Sequence, residues 1–220
     1  MKGDLGIEGK KDYLCKVVII GEPCTGKTSL LRRFTTDKFD EKYTVTLGVD
    51  FQIKMVAIDN CLIKLQLWDT DGQEKYKMMT KAYYKNAKAC IIMYDVTRRS
   101  TFEKVEIWLK QFQEVCDPSQ TVIIIVGNKI DLINDRQTHY DEGNALALQY
   151  SVPFREISVK DNYDAVKELF TFIARKGLEL CKKEDIGKQI EGHKEDVHNK
   201  KIQLNAGNNS VDQRKHACFC

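Results

Sequence analysis

The stretch that decides the fold reads VVIIGEPCTGKTSLL and spans residues 17–31. A continuously apolar run enters a turn that opens at Gly21 and closes at Gly26, and a helical pattern follows. Glycines at this spacing, followed by Lys27 and Thr28, are typical of a phosphate-binding loop. Its backbone amides can wrap around phosphates, and the start of the helix favours negative charge. We therefore expect Lys27 to neutralise β and γ phosphate oxygens and Thr28 to bind Mg²⁺.

Around this loop, short β-rich runs alternate with helical patterns from residue 13 to about residue 181. Such alternation predicts βαβ units and a largely parallel sheet that is covered by helices. Continuously apolar runs suit the central strands of such a sheet, because these strands are buried on both faces. Three runs of this kind occur, at 17–20, 89–94 and 122–126.

Two further runs, 51–57 and 62–68, are more alternating and flank the turn-like pair Asp59-Asn60. They predict a hairpin that contributes an antiparallel edge to the sheet. A helix is expected from Ser100 to about residue 116, with Ser100 and Glu103 as a capping box. Other helices are expected after the glycine-rich turn and at about 141–150 and 164–181.

Composition excludes several classes of protein. The 220 residues carry 35 basic and 32 acidic side chains, and 42% are hydrophobic. This balance fits neither a disordered chain nor a polycationic nucleic-acid binder, so no nucleic-acid partner is expected. No apolar run approaches the roughly 20 residues of a membrane-spanning helix. The N-terminal residues contain no apolar segment for secretion, so the cysteines are expected to be reduced thiols in the cytosol.

The chain divides into three expected regions. Residues 1–12 are expected to be a flexible extension, and residues 13–181 to form one α/β domain. Residues 182–220 contain many Asn and Gln residues and only scattered aliphatic ones. That composition predicts a disordered tail.

The string WDTDGQE offers the acidic group that a nucleoside triphosphatase needs near its metal. It ends the second strand of the expected hairpin and places Asp69 about forty residues after Lys27. A surface turn is the alternative when this common pattern is taken alone. We expect Asp69 to hold Mg²⁺ through water.

The string GNKID follows the third apolar run and supplies Asn128, Lys129 and Asp131. A carboxylate there can accept hydrogen bonds from N1 and N2 of guanine, which adenine does not donate in that geometry. Asp131 therefore favours GTP over ATP and disfavours ATPase or kinase chemistry. We expect the Lys129 stem to lie over the base and Asn128 to tie this loop to the phosphate loop. An exposed polar turn is the alternative.

The string Ser158-Val159-Lys160 follows a short β-rich run near the end of the expected domain. A backbone amide in this string could donate to the guanine O6. The three residues are therefore candidates for contact with the base.

With these motifs in this order, residues 13 to about 181 resemble the Ras superfamily of small GTPases, and finer strings resemble its Rab branch. Those strings are TLGVDF at 46–51, KLQLWDT at 64–70, QEKY at 73–76, YYKNA at 83–87 and YDVT at 94–97. The resemblance implies the small G domain of P-loop NTPases, with a mostly parallel six-stranded sheet, an antiparallel edge strand and helices on both faces. It also implies a GTP/GDP-regulated, Mg²⁺-dependent switch that hydrolyses GTP slowly and recruits effectors in vesicle trafficking.

The resemblance assigns roles to individual residues. Thr46 would bind Mg²⁺ and sense the γ-phosphate, and Gly72 would contact the same phosphate. Gln73 would orient the attacking water, and Phe39 would lie beside the base. Further nucleotide contacts are implied for Cys24, Thr25, Ser29 and Tyr43. An effector-facing aromatic set is also implied, although packing on a half-buried sheet explains its members equally well: Phe51, Trp68 and Tyr83.

Two departures from the family pattern bear on hydrolysis. Asp71 stands where the family usually has Ala, and its charge beside Gly72 is expected to repel the γ-phosphate and bias the cycle. An Asp71 that faces solvent or binds a partner's cation is the alternative. The phosphate loop also carries Glu22 and Cys24 around Pro23, which has no amide proton. Asp71 and Pro23 together support a second hypothesis, a membrane-tethered GTP/GDP-binding scaffold with impaired hydrolysis.

The chain ends in a Cys-x-Cys motif, Cys218 and Cys220. In a Rab-like protein this motif, at the end of a hypervariable tail, resembles a substrate for double geranylgeranylation, and two chains give stable anchoring. A redox pair or a metal site is the alternative for the bare tripeptide. The resemblance implies a Rab escort protein with geranylgeranyl transferase, a GDP-dissociation inhibitor, a guanine nucleotide exchange factor and a GTPase-activating protein. The protein would then act at the cytoplasmic face of intracellular membranes and cycle with the cytosol.

Overall fold

The computed structural model describes residues 12–39, 49–70 and 82–209, with side chains described at 12–39, 50–70 and 82–186. One six-stranded sheet is built from β1 (Asp12–Ile20), β2 (Val49–Ile58), β3 (Cys61–Thr70), β4 (Ala89–Asp95), β5 (Val122–Asn128) and β6 (Phe154–Ile157). Its order is β2-β3-β1-β4-β5-β6. Strand β2 runs antiparallel to β3, and the other neighbouring pairs are parallel. This confirms the predicted sheet with its antiparallel edge strand.

Helices cover both faces of the sheet, as predicted. They are α1 (Lys27–Thr36), α2 (Arg99–Glu103), α3 (Val105–Gln113), α4 (Tyr140–Gln149) and α5 (Tyr163–Asn209). Strand β1 shows how the two faces form, since successive side chains of a strand point to opposite sides. Val17 and Ile19 belong to a core shared with α1 and α5. Val18 and Ile20 belong to a second core shared with α3 and α4.

The predicted hairpin is confirmed. Strands β2 and β3 pair from Val49 opposite Thr70 to Ile58 opposite Cys61. Asp59 in the turn has a φ of 51°, a left-handed conformation that Asp tolerates better than most residues. The six cysteines in the described ranges are free thiols, in agreement with a reduced chain.

The helix expected from Ser100 to about residue 116 is two helices, and its predicted capping box is wrong. Helix α2 begins at Arg99, and Arg98 at its N-cap position makes no side-chain cap hydrogen bond. The Thr101 hydroxyl organises this turn instead. It donates to the Arg98 carbonyl at 2.7 Å and accepts from the Asp95 amide at 3.0 Å. The helix therefore begins one residue before Ser100, and the hydroxyl that organises the turn belongs to Thr101 and not to Ser100.

The chain divides into two units, Met1–Leu180 and Cys181–Cys220. The first holds the sheet and both cores. In the second, composition predicted a disordered tail from residue 182, whereas the structure continues the helical backbone to Asn209. This segment is rich in Lys, Glu and Gln, which favour helices, and contains no proline. The expected extension up to residue 11 and the chain end with Cys218 and Cys220 lie outside the described residues.

Candidate functional site

The predicted site residues gather at one edge of the sheet, where its parallel strands end. Strand β1 leads into the phosphate loop, and β5 leads into the GNKID loop. Strand β3 ends just beyond Asp69, and β6 ends just before Ser158. Ligands of open α/β sheets bind at this carboxyl edge. The topology therefore brings together residues that lie up to about 140 positions apart in the sequence.

Two glycines give the phosphate loop its shape. Gly21 has a φ of 136° and Gly26 a φ of 98°, both in the region that side chains disfavour. A Cβ at Gly21 would lie 2.2 Å from the Met93 carbonyl oxygen, and one at Gly26 would lie 2.3 Å from Asn128 Nδ2. Both positions therefore require glycine, and the loop is pressed closely against β4 and β5.

Lys27 is buried inside the loop, with only 4% of its surface exposed. Its Nζ donates to the carbonyl oxygens of Gly21 and Glu22, each at 2.8 Å. The buried Thr25 hydroxyl also donates to the Glu22 carbonyl, at 2.9 Å. These bonds hold the lysine ammonium against the loop, where a polyanion would meet both a positive charge and backbone amides.

The unusual residues of the loop are held from outside by side chains that the sequence analysis did not identify. Arg98 Nη2 donates to the Pro23 carbonyl oxygen at 2.6 Å. Trp108 Nε1 donates to Glu22 Oε1 at 3.0 Å. Between them, Cys24 is exposed and has a φ of 62°. Arg98 directly follows the string YDVT, but its residue type alone did not point to the loop.

Thr28 and Asp69 meet as the magnesium prediction requires. Thr28 Oγ1 donates to Asp69 Oδ2 at 2.5 Å. The Asp69 side chain is fully buried, and its Oδ1 has no hydrogen-bond partner among the described residues. Burial raises the pKa of the Asp69 carboxyl to about 6, although the Thr28 hydroxyl and Lys27 favour its charged form. A hydroxyl beside a carboxylate with an uncommitted oxygen is a donor set that fits Mg²⁺.

A cavity of about 330 Å³ lies between the phosphate loop and the GNKID loop. Ser158 Oγ donates to Asp131 Oδ1 at 2.6 Å, which leaves the other Asp131 oxygen for a second donor. Residues predicted to contact the nucleotide line much of the cavity, and Leu132 was not predicted. The lining residues are Gly26, Ser29, Phe39, Asn128, Lys129, Asp131, Leu132, Val159 and Lys160.

Asn128 ties the loops together, as predicted. Its Nδ2 donates to the Thr25 carbonyl oxygen at 2.9 Å, and its Oδ1 accepts from the Val159 amide at 3.1 Å. One buried amide side chain therefore joins the phosphate loop, the GNKID loop and the loop after β6. The Val159 amide lies at the cavity, and here it donates to Asn128.

Lys129 lines the cavity, and its ammonium is held by a residue that the sequence analysis missed. Lys129 Nζ lies 2.6 Å from Oδ2 of Asp95, which is 1% exposed. Asp95 Oδ1 accepts from the Thr97 amide at 2.9 Å and from its hydroxyl at 2.7 Å. Burial acts to raise the pKa of Asp95, but hydrogen bonds from Lys129 and Thr97 lower it overall. The available signal was an acidic residue at the end of a buried strand.

The remaining candidate residues form two groups, an aromatic set that the structure describes and five residues that it does not. The aromatic set forms one contiguous cluster, with ring centroids 4.9 Å apart for Phe51 and Trp68 and 5.9 Å apart for Trp68 and Tyr83. Five other candidates lie outside the described residues: Tyr43, Thr46, Asp71, Gly72 and Gln73.

Comparisons with known proteins agree with the geometry of this edge. The model of the Ras family matches residues 16–179. The chain is 36% identical over 215 residues to the GTP-binding protein yptV2 of Volvox carteri, covering 96% of this chain and 98% of that protein. It is 44% identical over 164 residues to the Ras-related protein Rab-18-B of Danio rerio, covering 74% and 79%. It is 39% identical over 179 residues to the GTP-binding protein ypt3 of Schizosaccharomyces pombe, covering 78% and 83%.

Proposed function

The chain belongs to the Rab branch of the Ras family of small GTPases, and we propose that the carboxyl edge of its sheet is the site for GTP and GDP. As a Rab-like GTPase it binds GTP or GDP with Mg²⁺, hydrolyses GTP and takes part in vesicle trafficking. The assignment of these tasks to individual residues is our proposal.

The observation that carries the proposal is the link through Asn128 between two loops of different chemistry. One loop offers Lys27 and backbone amides for phosphates. The other offers the Asp131 carboxylate, steadied by Ser158, for the N1 and N2 protons of guanine. A nucleotide that spans the cavity would engage both loops. The phosphate loop would favour a diphosphate or triphosphate, and the Asp131 loop would favour guanine as the base.

Magnesium would be held by Thr28 directly and by Asp69 through water, with Thr46 as a further ligand. Asp69 Oδ1, which has no hydrogen-bond partner in the described ranges, supports this, because a fully buried carboxylate oxygen normally has a partner. When bound, Mg²⁺ supplies positive charge that stabilises the phosphate oxygens during phosphoryl transfer. The protein's own contribution is to keep the Asp69 carboxylate dry and oriented by the Thr28 hydroxyl.

Hydrolysis is assigned to Lys27, Gly72 and Gln73. Lys27 would neutralise charge on the β and γ phosphates, Gly72 would contact the γ-phosphate, and Gln73 would orient the attacking water. Thr46 and Gly72 would hold the two switch segments until the γ-phosphate leaves. The family's effectors would then distinguish the two conformations.

Regulators and effectors bind Rab proteins in general, and we propose their specific classes from the resemblance to the Rab branch. They are a guanine nucleotide exchange factor, a GTPase-activating protein, a GDP-dissociation inhibitor, and an escort protein with geranylgeranyl transferase. Geranylgeranyl groups on Cys218 and Cys220 would anchor the protein to the cytoplasmic face of intracellular membranes. Within the described part of the chain, no helix has the length and apolar character needed to cross a bilayer.

Nucleotide specificity tests the base site. We expect the purified protein to retain GDP or GTP and to prefer GTP over ATP in competition. Asp131→Asn should lower the affinity for guanine nucleotides about 10- to 100-fold, because charge-assisted hydrogen bonds are lost. The same variant should gain affinity for xanthosine diphosphate, which carries a carbonyl oxygen in place of the guanine amino group. A parent protein that retains adenine nucleotides would contradict the proposal.

Single-turnover hydrolysis tests the catalytic assignment. The parent should convert bound GTP to GDP, and Gln73→Leu should abolish the conversion. Asp71→Ala measures whether the extra carboxylate biases the cycle. A parent as inert as Gln73→Leu, with activity regained in Asp71→Ala, would favour the scaffold hypothesis instead.

A further inference from the structure

The phosphate loop contains one peptide unit whose orientation depends on a distant side chain. Pro23 has no amide proton, so the first loop amide after Glu22 belongs to Cys24. Cys24 has a φ of 62°, which costs a non-glycine residue about 1–2 kcal/mol. The bond between Pro23 and Cys24 is trans, since the described residues contain no cis peptide. A contact that fixes the adjoining peptide unit can offset this cost.

Arg98 contacts the same peptide unit from the other side. Its Nη2 donates to the Pro23 carbonyl oxygen at 2.6 Å, and its Nε donates to Asp95 Oδ2 at 3.2 Å. The guanidinium is planar, so two bonds from two of its nitrogens fix its orientation. Asp95 is itself buried and accepts further hydrogen bonds from Thr97. The arginine is therefore held at a defined position against the loop.

A trans peptide unit is planar, and its C=O and N–H point in opposite directions. Because Arg98 binds the Pro23 carbonyl, the Cys24 N–H must point away from the guanidinium. The amides inside such a loop are the groups that bind phosphate oxygens. The contact with Arg98 thus determines which way one potential phosphate donor faces.

We propose that Arg98 is a positioning residue for the nucleotide: oriented by Asp95, it turns the Pro23–Cys24 peptide so that the Cys24 N–H faces the phosphates. This role rests on the proposed nucleotide site. Arg98 acts through the loop backbone, in a loop where proline has removed the preceding amide. Trp108 contacts the neighbouring residue differently, because its indole N–H donates to the side chain of Glu22 and not to the loop backbone.

Replacement of Arg98 should weaken the binding of GDP more than the binding of guanosine monophosphate. In Arg98→Ala the Pro23 carbonyl loses a charge-assisted bond, so GDP affinity should fall about tenfold. Guanosine monophosphate lacks the β-phosphate that the loop amides surround, so its affinity should change by less than about twofold. Both dissociation constants can be measured by competition against a fluorescent GDP analogue.

Two further variants make the comparison specific. Arg98→Lys keeps one cationic donor group but cannot span both Pro23 and Asp95, so its GDP affinity should fall between those of the parent and Arg98→Ala. Arg99→Ala is the matched control, since this neighbouring arginine pairs with Glu142 and Glu103. It should bind GDP as the parent does.

The outcomes separate this inference from the proposed function. Unchanged GDP affinity in Arg98→Ala would overturn the positioning role while leaving the nucleotide site intact. Equal weakening of GDP and guanosine monophosphate would also overturn it, because a general loosening of the fold would affect both. A parent protein without affinity for either nucleotide would instead overturn the proposed function.

Discussion

Two buried aspartates lie at the carboxyl edge of the same sheet, on strands that flank β1, yet their surroundings are opposite. Asp69 at the end of β3 accepts a hydrogen bond from Thr28, and its second oxygen has no partner among the described residues. Asp95 at the end of β4 is contacted by Thr97, Arg98 and Lys129. The pKa of Asp69 is raised to about 6 by burial, whereas hydrogen bonds outweigh burial at Asp95 and lower its pKa.

This difference indicates that the Asp69 carboxylate is available to a ligand, whereas the Asp95 carboxylate stabilises the protein. A buried carboxylate without enough donors destabilises the fold unless something else binds it. Asp69 therefore has a structural cost that Mg²⁺ can offset. Asp95 has its donors within the chain, and it joins the GNKID loop to the phosphate loop through Lys129 and Arg98. Residue type and burial alone do not distinguish the two roles.

The largest expected effect is the loss of stability in Asp95→Ala. The substitution leaves Lys129, Arg98 and Thr97 without their shared acceptor. Lys129 and Arg98 are partly exposed and can be solvated, so the loss should cost roughly 1.5–3 kcal/mol. Urea denaturation in EDTA, at one fixed GDP concentration for every variant, measures the free energy of unfolding. Asp69→Ala is the control under the same conditions, where its unfolding free energy should fall by no more than about 1 kcal/mol. A larger loss at Asp69 than at Asp95 would reverse the comparison.

The next effect concerns metal affinity. In Asp69→Asn the charge is removed while the size is kept, so the Mg²⁺ affinity of the GDP complex should fall about 10- to 100-fold. The rate of GDP release, followed as free Mg²⁺ is varied, gives this affinity without any need for hydrolysis. In Asp95→Asn, the Mg²⁺ concentration that half-maximally slows GDP release should be the same as in the parent. A shift of similar size in Asp95→Asn would show that the two carboxylates are not separate in function.

The phosphate loop and the GNKID loop were predictable because their chemistry requires particular residue types at fixed spacing beside buried strands. The sheet followed from the same runs, and the Asn128 link followed from the position of its loop. Arg98 was not predictable, because its partner Pro23 lies 75 positions away and an arginine after a strand has many uses. Ser100 was misread because the neighbouring Thr101 hydroxyl satisfies the turn.

A graded effect of pH should distinguish the two aspartates further. The folded protein holds the Asp69 proton more tightly than the unfolded chain, because the pKa rises from 3.8 to about 6. In EDTA, the unfolding free energy that depends on Asp69 should therefore fall as pH rises from about 4 to about 6. The pKa of Asp95 is lowered from 3.8, so its stabilising contribution should persist above that pH and be lost as pH falls below it.

The measurement is the difference in unfolding free energy between the parent and each Asn variant across this pH range. The Asp69→Asn difference should change between about pH 4 and 6, and the Asp95→Asn difference should change at lower pH. Two differences with the same direction of pH dependence would remove the distinction between the sites.

The smallest expected effect tests how evenly the contacts of Asp95 share its stabilisation. Thr97→Ala removes the hydroxyl that donates to Asp95 Oδ1 at 2.7 Å but keeps the backbone amide at 2.9 Å. One neutral donor to a well-satisfied carboxylate is worth about 1 kcal/mol, so the unfolding free energy should fall by that amount. Thr97→Ser keeps the hydroxyl and should recover most of the loss in urea denaturation. Equal losses in both variants would assign the effect to the methyl group, and the Thr97 hydroxyl would then add nothing to the stabilisation of Asp95.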